Sequence, residues 1–181
     1  MKDGSVNKQV VSESIISLKS LGVKALIDFL KKEDDSKYKL KEGVARSLAT
    51  ADVSDPSIDA VIELGFFLCK DRSPQVRVAA IGALSKLREK SKGDITYLKP
   101  KYLIPFLYEF LADISIDVRN IAILSIKNFG PQGVLTFIEG ASKDKNQTVR
   151  KSCCYGLGLI GSSSFRTLLL VLHDNSMPVR K

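Results

Sequence analysis

Asp71-Arg72-Ser73-Pro74-Gln75-Val76-Arg77 is the stretch that decides the fold, because the chain repeats it. Asp35 stands six residues before Lys41, Asp71 before Arg77, Asp113 before Arg119, Asp144 before Arg150 and Asp174 before Arg180. The residue ahead of each base is Leu40, Val76, Val118, Val149 or Val179. Ser73, Ser115, Asn146 and Ser176 form a further column, four residues before the base, of side chains suited to a helix N-cap. Pro74 follows its cap at the first helical position, where a missing N–H costs nothing. Each copy therefore reads as a turn that ends one helix and starts another.

The helix after each base shows one apolar face. Val44, Ala80, Ala122 and Cys153 lie three residues on, Leu48, Leu84, Ile126 and Leu157 seven on, and Ala51, Leu87, Phe129 and Ile160 ten on. That recurrence is the three-to-four residue period of a buried helix stripe, and Gly130 and Gly161 follow as C-terminal stops. Upstream, Val10, Val11, Ile15 and Leu18 predict a helix over residues 6–20, with a break at Leu21-Gly22 and a second helix over residues 23–32. Asp34-Asp35-Ser36 predicts a turn, with Ser36 capping a helix over residues 37–51, and Asp55-Pro56 opens another that runs through Leu68. Successive bases are 36, 42, 31 and 30 residues apart, so the copies are helical hairpins of unequal length.

A single hairpin cannot bury its own apolar face, and stacking on neighbours supplies the core. The expected fold class is all-α: an α-solenoid of stacked antiparallel helical hairpins forming a single domain over residues 1–181, about four full copies with partial ones at both ends. This arrangement predicts a structural ladder built from Asp35, Lys41, Asp71, Arg77, Asp113, Arg119, Asp144, Arg150, Asp174 and Arg180. Each Asp lies near the positive end of a helix, where it can accept backbone N–H groups. Each base, one turn in, can reach its own Asp or that of an adjacent copy. A catalytic role would require these carboxylates to cluster, whereas stacking spaces them one copy apart.

The run Ile104-Pro105-Phe106-Leu107, followed by Phe110-Leu111, Asp113, Val118-Arg119, Ala122 and Ile126, resembles the HEAT repeat consensus. The resemblance extends over nearly the whole chain and implies an armadillo-like HEAT superhelix. Only the third copy has the first-helix proline, the first copy has Leu40-Lys41 in place of Val-Arg, and the last two are short. Short HEAT-like and proteasome-type repeats both fit this pattern; the Gly-Leu-Gly-Leu-Ile-Gly run ending at Gly161 is similar to repeats of the proteasome regulatory particle. In HEAT arrays the second helices line the concave surface that partners use. Carried over by position, this implies Arg46, Lys86, Lys127, Lys151 and Tyr155 as exposed contacts.

Other chemistry is sparse. Gly156, Gly158 and Gly161 match the spacing of a dinucleotide fingerprint, but that motif works only where it follows a strand and opens a helix. Here it closes a helix, and close helix packing explains the glycines better. His173 is the sole histidine and has no second His or Cys at metal-ligand spacing. Cys69, Cys153 and Cys154 fit no zinc or disulfide framework, which points to a reducing cytoplasmic or nuclear compartment. Cys153 or Cys154 is expected to pack in the core. No catalytic residues, metal or cofactor are expected, and the function expected is not enzymatic.

The formal charge of +8 makes an acidic partner or a nucleic acid worth testing, and no apolar run approaches the roughly 20 residues of a membrane span. The longest base-to-base spacing contains Lys86, Arg88, Lys90, Lys92, Lys99 and Lys101 together with Tyr97 and Tyr102. Its basic members, Arg88 and Lys90 included, are candidates for acidic protein segments or phosphates, set against a plain solvated helix end and loop. A protein-binding scaffold is the primary expectation, and a nucleic-acid binder using the basic surface is the alternative. Apolar residues 168–172 just before the last copy predict either a longer solenoid or end-to-end self-association.

Overall fold

Leu84 and its counterparts Leu48, Ile126 and Leu157 are fully buried, as are Ala80, Ala122 and Cys153 three residues after a base. In the computed structural model these columns are the inward faces of a set of packed helices. The structure describes residues 20–33, 37–92, 94–161, 169 and 172–180, and among these every regular element is helical. In chain order they are α1 (Ser20–Lys32), α2 (Tyr38–Leu48), α3 (Ile58–Leu68), α4 (Pro74–Lys90), α5 (Pro100–Glu109), α6 (Ile116–Lys127), α7 (Pro131–Lys143), α8 (Gln147–Ile160) and α9 (Met177–Arg180), with short 3-10 turns at Thr96–Leu98 and Phe110–Ala112. The chain groups into two compact bodies, Met1–Lys99 and Pro100–Lys181. No described helix is long and apolar enough to cross a membrane.

In the N-terminal body, α2 packs along α4, α1 packs on α3, and α3 packs against α4 within its hairpin. Helices that follow a turn therefore lie beside one another, as do helices that precede one. Gly65 makes the closest approach of α3 to its neighbours, since a Cβ there would stand 2.7 Å from Leu84 Cδ2. Leu30, Leu48, Ile62, Leu64, Leu68, Ile81, Leu84 and Leu87 are buried in this core. Each such side chain contributes about 2 kcal/mol through removal from water. Lys90, at the end of α4, donates to the Ala49 carbonyl at 2.7 Å and ties that end to the turn after α2. The basic stretch beyond it is not a plain loop: Leu98, within its 3-10 turn, is fully buried.

In the C-terminal body, α8 packs on α7 within a hairpin and beside α6, and α9 packs on α8. Pro105 sits inside α5. Phe137 is fully buried, and a Cβ on Gly156 would come within 2.8 Å of its ring, so Gly156 permits the close approach of α7 and α8. Gly161 closes α8 with a φ of +90° and Gly130 precedes α7 with a φ of +59°, conformations that L-residues rarely adopt. Ser152 Oγ donates to the Leu111 carbonyl at 2.8 Å, pinning α8 to the turn that precedes α6.

Three local expectations need correction. The break at Leu21-Gly22 is absent, since α1 runs through both residues; a helical glycine costs roughly 1 kcal/mol, less than the burial of Ile27 and Leu30 returns. The helix expected to open at Asp55-Pro56 begins at Ile58, because Asp55 Oδ1 accepts the Ser57 N–H at 2.7 Å and holds a turn there. The cap column also differs. Ser73 and Ser115 occupy N-cap positions with extended backbone, but neither side chain caps its helix; Asn146 alone of the three does, accepting from Thr148 N–H at 2.9 Å. The expected helix over residues 6–20, apart from Ser20, and the expected turn at 34–36, with Asp35 and its cap Ser36, lie outside the described residues, as do residues 168, 170 and 171.

Candidate functional site

The repeated turn uses its two charged columns in a defined way. Asp71 Oδ1 accepts the Ser73 N–H at 2.8 Å, Asp113 Oδ1 that of Ser115 at 2.8 Å, Asp144 Oδ1 that of Asn146 at 2.8 Å, and Asp174 Oδ1 that of Ser176 at 2.7 Å. The carboxylate thus closes the turn, and the Ser73 hydroxyl behind it donates to Gln75 Oε1 at 2.8 Å rather than capping the helix. The base returns to the main chain of the same turn. Arg77 Nη1 donates to the Asp71 and Arg72 carbonyls at 2.9 and 2.8 Å, Arg119 Nη1 to those of Asp113 and Ile114 at 2.7 and 3.1 Å, and Arg150 Nη1 to those of Asp144 and Lys145 at 3.0 and 3.1 Å. Within a turn, then, the base binds carbonyls rather than its own carboxylate.

At two of the turns the carboxylate's second oxygen faces the preceding copy. Lys41 Nζ lies 3.2 Å from Asp71 Oδ2, both side chains largely buried. Arg150 binds Asp174 through Nε at 2.7 Å and Nη2 at 3.0 Å. Hydrogen bonds from Arg150 first, and from the Ser176 N–H, hold the Asp174 carboxyl below the usual carboxylate range. Asp144 departs from the pattern: its Oδ2 accepts the Tyr108 hydroxyl at 2.7 Å. Burial, reinforced by that bond, pushes the Tyr108 phenol up.

Consequently Arg119 has a guanidinium only partly engaged. Its Nη1 holds two carbonyls, and among the described residues no carboxylate pairs with its Nε or Nη2. This side chain lines a groove of about 490 Å³ between α6 and α8, closed at one end by Pro178 of α9. The remaining lining comes from Ile116, Asn120 and Ile123 of α6 and Gln147, Thr148, Lys151, Ser152 and Tyr155 of α8. Ile116 and Tyr155 are more than half exposed, at 61% and 54%. Two other hollows, one in each body, are of similar size, about 580 and 560 Å³, and each mixes acids with bases: Glu139 and Asp144 line the C-terminal one, Glu33 and Asp71 the N-terminal one. Among the described residues no carboxylate lines the groove between α6 and α8.

The residues expected to be exposed contacts divide accordingly. Lys151 and Tyr155, one helical turn apart, come together in the groove. Lys127 is half-buried on α6 and does not line it. In the N-terminal body, Arg46 is exposed but pairs with Glu42 at 2.6 Å, and Lys90 is held by the Ala49 carbonyl. Lys86 is exposed and Arg88 half-buried on α4. Arg119, Ile116, Ile123 and Pro178 were not foreseen as contacts, because only the side-by-side placement of α6, α8 and α9 brings them together.

Among the described residues, no three His, Cys, Asp or Glu side chains converge as a metal site. His173 is exposed beside the last turn. Cys69 and Cys153 are buried and burial pushes both thiols up, while Cys154, half-buried, is pushed up to about 11 by desolvation. Gly156, Gly158 and Gly161 fall at the end of α8 rather than ahead of a helix, so their backbone N–H groups do not form a phosphate cradle. In comparisons with family models and with curated proteins, the sequence matches none.

Proposed function

We propose that this chain is a non-catalytic scaffold, a HEAT-like α-solenoid that binds other proteins through the face formed by its second helices. The observation that carries this reading is the groove between α6 and α8, where exposed Ile116 and Tyr155 stand beside Arg119 and Lys151. Side chains with an apolar body and a polar tip are enriched at the anchoring points of protein interfaces. The side-by-side packing of α2 with α4, and of α6 with α8, supports a stacked array in each body. The turn network supports it further, since it occupies the repeated Asp and base columns in holding the turns and joining successive copies.

Affinity capture on the full chain, followed by cross-linking and mass spectrometry, tests this proposal. A bound protein whose cross-links fall on α6 and α8 is the expected result. Cross-links confined to other helices would overturn the assignment of the face. Binding to duplex or single-stranded nucleic acid, with affinity that falls steeply as salt rises, would instead support the nucleic-acid reading.

A further inference from the structure

We infer that the groove between α6 and α8 receives an acidic peptide segment bearing a neighbouring large apolar side chain. Arg119 and Lys151 take its carboxylates, and Ile116, Ile123 and Tyr155 take the apolar group. This assignment rests on the scaffold reading and gives its partner a chemistry.

The inference follows from the turn at Asp144, which departs from the pairing seen at Asp71 and Asp174. Asp71 and Asp174 each accept the base of the preceding copy, Lys41 and Arg150. By the same register Asp144 would accept Arg119, but Tyr108 holds its Oδ2. Arg119 remains anchored through Nη1 to the Asp113 and Ile114 carbonyls, so its guanidinium is positioned while the Nε and Nη2 edge has no carboxylate partner among the described residues. A planar edge with two N–H donors matches a carboxylate in a bidentate pair.

The surroundings favour the same ligand. Lys151 supplies a second positive charge, Asn120, Gln147 and Thr148 supply neutral polar groups, and among the described residues no acid lines the groove to compete. The apolar floor distinguishes the occupant from a bare phosphate strand, which is held by a track of cations. Ile123 is buried and Ile116 exposed, so the groove runs from a packed base to an open lip. The formal charge of +8 adds long-range attraction for an acidic chain.

Selection of a random displayed-peptide library on the immobilised full chain tests the assignment. Enriched peptides should carry Asp or Glu beside Leu, Phe or Tyr. Their binding should fall about tenfold with Arg119→Gln and at least as much with Lys151→Glu, the loss of one charge-assisted pair. Lys151 is exposed and outside the turn network, so its variant remains informative if Arg119→Gln unfolds. Lys39→Glu, the same charge change on exposed α2, should leave binding within about twofold and so separate the groove from the overall field. Enrichment without acidic bias, or equal loss with Lys39→Glu and Lys151→Glu, would overturn the inference. If peptides of another chemistry bind and cross-link to α6 and α8, the acidic assignment fails and the scaffold stands. If neither peptides nor proteins bind, both fail.

Discussion

Arg150 grips the Asp174 carboxylate with two nitrogens, at 2.7 and 3.0 Å, while its third holds the Asp144 and Lys145 carbonyls. One side chain therefore closes its own turn and joins it to the next. Replacing Arg150 with Ala should lower the melting temperature by several degrees, because two turn carbonyls and a largely buried carboxylate lose partners together. Asp174→Asn should cost less, since an amide oxygen can still accept the Ser176 N–H. Thermal unfolding followed by circular dichroism checks the ranking; equal or negligible losses would show that the turn does not depend on the pair.

The same carboxylate predicts acid sensitivity. Asp174 has a folded pKa below its ordinary value of 3.8, chiefly through hydrogen bonds from Arg150. Its contribution is complete above that ordinary value and is lost as pH falls through the lower folded one. Asp52 and Asp55 act in the same direction, each held low by hydrogen bonds from the serine two residues on. Stability should thus decline below about pH 4, and Arg150→Gln should flatten that decline. A wild-type melting temperature that stays level between about pH 5 and pH 2 would contradict this account.

Two glycines two residues apart on α8 should respond with opposite sign. A methyl group on Gly156 meets the Phe137 ring at 2.8 Å, whereas one on Gly158 meets nothing within 4 Å. Gly156→Ala should destabilise by about 1–2 kcal/mol, overpacking of roughly 1–3 kcal/mol less the helix propensity gained. Gly158→Ala should stabilise by up to about 1 kcal/mol. Urea denaturation of the two variants measures both; a gain at position 156 would mean that α7 and α8 can separate freely.

Thiol accessibility supplies a third probe. Cys69 and Cys153 are buried with raised thiols, and Cys154 is half-buried at about 11. Reagents that require thiolate should modify Cys154 first, more slowly than a free cysteine, and reach the others only on unfolding. Mass mapping of alkylated peptides over time would show the order. Early modification of Cys153 would place it outside the core.

The core was legible in the sequence because a helix face has one period: every column residue three, seven or ten places after a base is buried except Ile160, which is half-buried. The turn was legible in position but not in chemistry. Ser73 and Ser115 look like caps, yet the aspartate two residues earlier already satisfies the turn. The groove was half legible. Lys151 and Tyr155 lie on one helix face, four residues apart, whereas Ile116 and Pro178 join them only through packing of separate helices. Tyr108 and Asp144 are 36 residues apart, and no local pattern signals their hydrogen bond. Arg119 accordingly looked like an ordinary ladder residue.

The self-sufficiency of each turn bears on how such a chain can grow or shrink. From Asp71 to Arg77 the carboxylate, the N–H it accepts and the carbonyls that receive the guanidinium all belong to one seven-residue segment. Residues inserted elsewhere leave that segment intact, which accounts for base-to-base distances ranging from 30 to 42 residues without loss of the motif. The stretch between α4 and α5 is where the longest spacing falls, and extra length there is taken up by a 3-10 turn anchored through Leu98. Length variation therefore falls outside the turn segment, in connections and in helix ends such as that of the 17-residue α4, and new surface can be added there with the turn unchanged.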